Sequence, residues 1–106
     1  MVITEEVVYE LLSHLTDSAY LHGHPLAGLV PAEGMQRGEA LRLLLLELME
    51  HLRPAPSTPP DDPGWRPYQA LHLRYVKLRS PIQVQDALGL SERQVIARAW
   101  ELFVAR

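Results

Sequence analysis

Hydrophobic residues recur at helical spacing along most of the chain, and no run alternates apolar and polar positions as a half-buried strand would. The first segment, from Thr4 to about Leu15, begins with glutamates that suit a helix N-terminus. Asp17-Ser18 can cap a short turn that ends before His24-Pro25. The apolar positions predicted to be buried here are Val8, Leu11, Leu12, Leu15, Leu26, Leu29 and Val30.

The strongest helical pattern of the first half runs from about Gln36 to Leu52. Its predicted core stripe consists of Leu41, Leu44, Leu45, Leu48 and Leu52. Leu43 and Leu46 fall within the polar arc, so a neighbour must cover them. We favour a wide core completed by the second half of the chain over an intermolecular contact.

A proline-rich segment, residues 54–64, divides the chain into an N-terminal helical half, 1–53, and a C-terminal half, 65–106. It holds five of the nine prolines and is expected to be an extended connector within a single domain, 1–106. After it, a helix with Pro67 in its first turn is predicted. Its apolar stripe is Trp65, Tyr68, Leu71, Tyr75 and Leu78, a spacing typical of a buried face rather than a base-stacking platform.

The segment 80–95 combines several signals of two short helices joined by a tight turn. Ser80 can cap a helix that starts at Pro81, and Gly89 permits the left-handed conformation that ends it. Ser91 and Gln94 then match a capping box for the next helix. The sequence thus predicts an all-α fold of five or six helices with a C-terminal helix-turn-helix.

Residues 68–104 resemble the helix-turn-helix of bacterial sigma-factor promoter-reading regions and of response-regulator output domains. The resemblance is carried by Arg74-Tyr75-Val76, Ser80, Val84 and the run from Leu88 to Val95. It implies a transcription regulator that binds double-stranded DNA, with Glu92 to about Val104 as the recognition helix. Separately, the lack of a membrane-span run and of a signal-peptide pattern leads us to expect a cytoplasmic location. By the same analogy, the residues pointing into the groove would be Glu92, Arg93, Ile96, Ala97 and Trp100.

The early His24-Pro25-Leu26 run and the leucine-rich helix are similar to domains at the N-terminus of larger bacterial signalling proteins. The last predicted helix has no C-terminal cap at Ala105-Arg106. Both features lead us to expect that the chain is a domain of a longer protein.

The net charge of -3 hides an uneven distribution. Residues 1–53 carry a net charge of -5 and residues 65–106 a net charge of +4. We expect Arg93, Gln94 and Arg98 to contact bases or backbone from the recognition helix. Arg74, Lys77 and Arg79 would contact phosphates. A merely solvated basic face is the alternative explanation.

A second function remains open because the last helix is apolar over more than half of its circumference. Ile96, Trp100 and Phe103 lie beside the expected core positions Val95, Ala99 and Leu102. Either the N-terminal helices cover these side chains or a partner does. In the latter case the chain is an interaction or adaptor domain, and Ile96, Trp100 and Phe103, or Leu43 and Leu46, bind a partner protein or a second copy.

Other classes of function lack the residues they need. The absence of cysteine excludes disulfides and cysteine-based zinc sites. The five histidines lack metal-site spacing, and no phosphate loop or nucleophile motif occurs, so we expect no metal, cofactor, small-molecule substrate or enzymatic activity. No run is long and apolar enough to predict a membrane span.

Overall fold

A computed structural model describes residues 2–104, and these residues form an all-helical fold without strands. The six α-helices are α1 (Glu5–Ser13), α2 (Ser18–His22), α3 (Arg37–Glu50), α4 (Arg66–Leu71), α5 (Pro81–Leu88) and α6 (Glu92–Val104). Pro25–Leu29 and Pro63–Trp65 form short 3-10 turns, and a π-helical turn, His72–Val76, extends α4. The predicted all-α class is confirmed, while Ala105 and Arg106 lie outside the described residues.

Short-range side-chain bonds start the N-terminal helices where the sequence predicts them. The Thr4 hydroxyl accepts a hydrogen bond from the Val7 amide at 3.3 Å, and the Asp17 carboxylate accepts one from the Tyr20 amide at 3.1 Å. His24 Nδ1 accepts from the Leu26 amide at 3.2 Å and so fixes the following 3-10 turn. Each bond satisfies an amide that the helix itself leaves unpaired.

The core lies between α1, α3, α4 and α6. The predicted α1 positions Val8, Leu11 and Leu12 are buried, as is Leu15 after the helix. Helix α3 is rotated relative to the prediction, because α2 packs closely against its first turn at Gly38. Its buried residues are Gly38, Ala40, Leu41, Leu45 and Met49, whereas Leu44 is 37% exposed and Leu48 and Leu52 are half-buried.

Besides Leu44, two further leucines predicted to be buried are exposed. Leu29 ends the first 3-10 turn and is 73% exposed. Leu78 is 66% exposed because it follows the π-helical turn with φ 58°, a left-handed conformation that directs the chain away from the core. The Arg79 amide donates to the Leu73 carbonyl at 2.9 Å, which closes the end of this helix.

The N-terminal half covers part of the apolar arc of α6. Ile96 is 7% exposed and belongs to the core, and Trp100 and Phe103 are half-buried against it. The Trp100 indole N–H donates to the Ile3 carbonyl at 3.0 Å. Ile96 is therefore not available to a partner, whereas Trp100 and Phe103 are only partly covered by the chain itself, and Phe103 lines a surface hollow. Within residues 2–104, no helix has the length and hydropathy that a membrane span requires.

Candidate nucleic-acid interface

Capping residues fix both ends of the turn between α5 and α6. Ser80 and Gln83 form a capping box at the start of α5, with bonds of 3.2 and 2.9 Å. Gly89 ends α5 at φ 72°, and its amide donates to the Gln85 carbonyl at 2.8 Å. Ser91 and Gln94 form the predicted capping box at the start of α6, with bonds of 3.3 and 2.9 Å.

A polar cluster anchors the first residue of α6 to the π-helical turn that extends α4. Glu92 Oε1 accepts from Arg74 Nε at 2.9 Å and from the Tyr75 hydroxyl at 3.2 Å. The Arg74 guanidinium lies 5.1 Å from the centre of the Tyr75 ring, and its Nη1 donates to the Arg79 carbonyl at 3.5 Å. Burial and the adjacent Glu92 carboxylate raise the pKa of Tyr75 well above its ordinary value of 10. The phenol therefore stays protonated and keeps donating.

This cluster also connects the backbone of Arg79 to the start of α6. Arg93 follows Glu92 on the helix, while Arg79 is held against Arg74 through its backbone. Lys77, Arg79 and Arg93 are exposed, and none of them has an acidic partner among residues 2–104. The Glu92 carboxylate is already paired with Arg74 and bonded to Tyr75.

The structure divides the six predicted DNA-contacting residues into two groups. Arg93, Lys77 and Arg79 are exposed and have no acidic partner among the described residues. Arg74 is half-buried and bonded to Glu92, the Gln94 side chain caps α6, and Arg98 pairs with Glu101 at 3.4 Å on an exposed face. The pairing of Arg74 was missed because Glu92 lies 18 residues away in sequence.

The residues expected by analogy to point into a groove do not share an exposed face. Ile96 is in the core, Trp100 binds the Ile3 carbonyl, and Glu92 is held by Arg74 and Tyr75. The exposed face of α6 instead carries Arg93, Gln94, Arg98 and Glu101. Of the expected set, Arg93 is exposed and Ala97 is half-buried.

A separate apolar surface lies on α3 and the loop before it. Leu43 is 43% exposed and Met35 is 45% exposed, whereas Leu46 is half-buried against the core. Of the five residues predicted to bind a partner, Leu43 is thus the most accessible in the description of residues 2–104. Its companions Leu29, Met35 and Leu44 were missed, because Leu29 and Leu44 read as core positions and Met35 stands alone before the helix.

The histidines take structural roles. His14 Nδ1 is bonded to the Glu10 carbonyl at 2.8 Å, and its ring stacks on Tyr20 with centroids 3.6 Å apart. His22 Nδ1 accepts from the Gly38 amide at 3.4 Å. In the described part of the chain, no group of three or more histidine, aspartate and glutamate side chains is placed to hold a metal ion.

No protein-family model, curated protein or solved structure matches this chain. Function is therefore inferred from its own residues and their geometry.

Proposed function

We propose that the chain is a DNA-binding helix-turn-helix module of a transcription regulator, with α5 and α6 as the two helices of the motif. The observation that carries this proposal is the polar cluster at the start of α6. Arg74 bridges Glu92 and the Arg79 carbonyl, so the backbone of Arg79 is tied to the start of α6, where Arg93 is exposed and unpaired in the described residues. In helix-turn-helix proteins, base edges are contacted from that end of the recognition helix.

The exposed cations of this proposed DNA-binding surface are Arg93, Lys77 and Arg79, and they have two different roles. Arg93 is exposed and can donate two hydrogen bonds to the O6 and N7 atoms of guanine. Lys77 and Arg79 neutralise backbone phosphates, which supplies affinity without sequence information. Glu92 would repel phosphates if it were free, but its bonds to Arg74 and Tyr75 offset that charge.

The proposal is tested by fluorescence anisotropy with a pool of labelled duplexes, titrated at several salt concentrations. We expect binding at low salt that weakens steeply as salt is added. Lys77→Ala and Arg79→Ala should each reduce the salt slope by about 1, equally for all sequences. Arg93→Ala should instead cost about 1–3 kcal/mol on the preferred sequence and relax the preference.

Arg37→Ala is the matched control, because Arg37 is exposed but lies on α3 in the acidic half. It should leave both affinity and salt slope unchanged. Absence of binding to any duplex at low salt would contradict the proposal, as would an equal loss in the Arg37 and Arg93 variants.

The exposed leucines of α3 and of the 3-10 turn Pro25–Leu29 favour a second function, that of a protein-interaction domain. A surface with Leu43 at 43% and Leu29 at 73% exposure is unusual unless a partner covers it. The α3 surface would carry this role, since the N-terminal half covers part of the apolar arc of α6. Leu43→Asn should then abolish partner binding while the fold is kept, as monitored by circular dichroism.

A further inference from the structure

An apolar groove runs along α3 and the segment that precedes it. It consists of two adjoining hollows of about 320 and 300 Å³, and Val30 and Leu44 line both of them. Leu29 borders the first hollow, while Met35 and Leu43 border the second. The bordering residues Leu29, Met35 and Leu43 are unusually exposed for large apolar side chains. Leu29 has the largest exposed fraction of the three, 73%.

The outer end of this groove is acidic. Glu33 and Glu47 are the charged residues that line the second hollow, and neither forms an ion pair among residues 2–104. The backbone at Glu33 has φ 37°, next to Gly34 at φ 91°. A segment that complements this groove must therefore be apolar and flanked by positively charged residues.

The C-terminal half of this chain presents such a segment, residues 77–82, which we term the knob. Leu78 and Ile82 are 66% and 71% exposed, and Lys77 and Arg79 flank Leu78 without acidic partners in the described chain. Leu78 also holds the left-handed conformation at φ 58°. A bulky side chain is strained there, and Gly89 occupies the corresponding position at the end of α5.

We propose that the knob of one copy docks into the acidic groove of a second copy, so that the chain associates head to tail. Leu78 and Ile82 enter the apolar hollows, and Lys77 and Arg79 pair with Glu33 and Glu47. Knob and groove are different surfaces of one chain, so the contact is heterologous and can be extended by further copies into a ring or a filament. The inference does not depend on DNA binding.

The first experiment is a concentration series by analytical ultracentrifugation, from micromolar to about 1 mM, the range of weak specific contacts. The wild-type mass should rise with concentration. Leu78→Asn and Glu47→Arg should each lower the association constant at least about tenfold, because one removes the apolar anchor and the other opposes like charges. Leu78→Asn should also melt no lower than the wild type, since asparagine tolerates the left-handed conformation.

Two controls make the same kinds of substitution at exposed positions outside the knob and the groove. Val2→Asn removes an apolar side chain that is 81% exposed, and Asp61→Arg makes the same kind of charge reversal in the exposed proline-rich segment. Both should associate like the wild type. Arg93→Ala, which tests DNA binding, should leave self-association unchanged, so the two proposals can fail independently.

Mixing the two defective variants is the sharpest test. Glu47→Arg retains an intact knob and Leu78→Asn retains an intact groove, so an equimolar mixture should form dimers that do not extend. A mixture that stays monomeric would overturn the head-to-tail arrangement. A wild type that is monomeric at all concentrations, or a Leu78→Asn variant that associates normally, would overturn it as well.

Discussion

At the scale of single residues, Gly38 is where α2 and α3 approach each other closely. A Cβ atom there would overlap the Ser18 carbonyl oxygen and would lie 2.8 Å from the His22 amide nitrogen. Both neighbours are backbone atoms, which cannot rotate away as a side chain can. Gly38 therefore sets the distance between α2 and α3.

We expect Gly38→Ala to lower the free energy of unfolding by about 3 kcal/mol, because the helices must separate to admit the methyl group. Thermal and urea denaturation measure this loss. Gly28→Ala is the control, since a Cβ at Gly28 has no neighbour within 4 Å. Its stability should stay within about 0.5 kcal/mol of the wild type. Equal effects of the two substitutions would show that close packing at Gly38 is not the cause.

At the scale of elements, the Glu92 cluster ties the start of α6 to the π-helical turn. Tyr75 is 1% exposed and donates to Glu92, and its raised pKa makes this tie dependent on pH. The unfolded tyrosine ionises near pH 10, while the buried one stays protonated to higher pH. The folded state then binds more protons above pH 10, so stability is fully present below that pH and is lost above it.

Urea denaturation at pH 9 and pH 11 tests this dependence. The wild type should lose up to about 1.4 kcal/mol per pH unit above pH 10 through Tyr75. Tyr75→Phe should cost about 1 kcal/mol at pH 9, where it removes a hydrogen bond, and should decline less steeply above pH 10. Tyr20→Phe leaves Tyr75 and Glu92 in place and serves as the control. An unchanged slope in Tyr75→Phe would refute this assignment.

The start of most helices could be predicted from the sequence, because capping is a matter of neighbouring residues. Asp17, Ser80 and Ser91 all cap helices as expected. The rotation of α3 could not be predicted, since it depends on the contact between Gly38 and α2. The π-helical turn was also missed, and it changes the angular position of Leu78 relative to the stripe that began at Trp65.

At the scale of the whole molecule, the two halves share one core. Helix α6 packs against α1, α3 and α4, and Trp100 bonds to Ile3 across 97 positions of sequence. Contacts over such long sequence separations could not be predicted from the sequence, and this limits which residues of the candidate site could be identified from it. Arg93 and the cations near it were identifiable from charge alone, whereas the cover over Ile96 depends on residues from the far end of the chain.

A pair of matched substitutions tests the long-range bond. Trp100→Phe removes the hydrogen bond to Ile3 and should lower stability by about 1 kcal/mol more than Trp65→Phe. The Trp65 indole N–H is buried without an acceptor in the described residues, so its replacement costs no hydrogen bond. Urea denaturation followed by circular dichroism gives both values. A smaller loss for Trp100→Phe than for Trp65→Phe would count against the role of this bond.

The bond between Ile3 and Trp100 also determines how the fold responds to mechanical load. A pulling force applied between Val2 and Val104 acts almost directly on this bond and on the contact between α1 and α6. The contacts between α1 and α6 would break one after another instead of all at once, because the force separates the two helices starting from one end. We therefore expect the molecule to unravel at low force from α1 and α6, with α2 and α3 held together longest around Gly38.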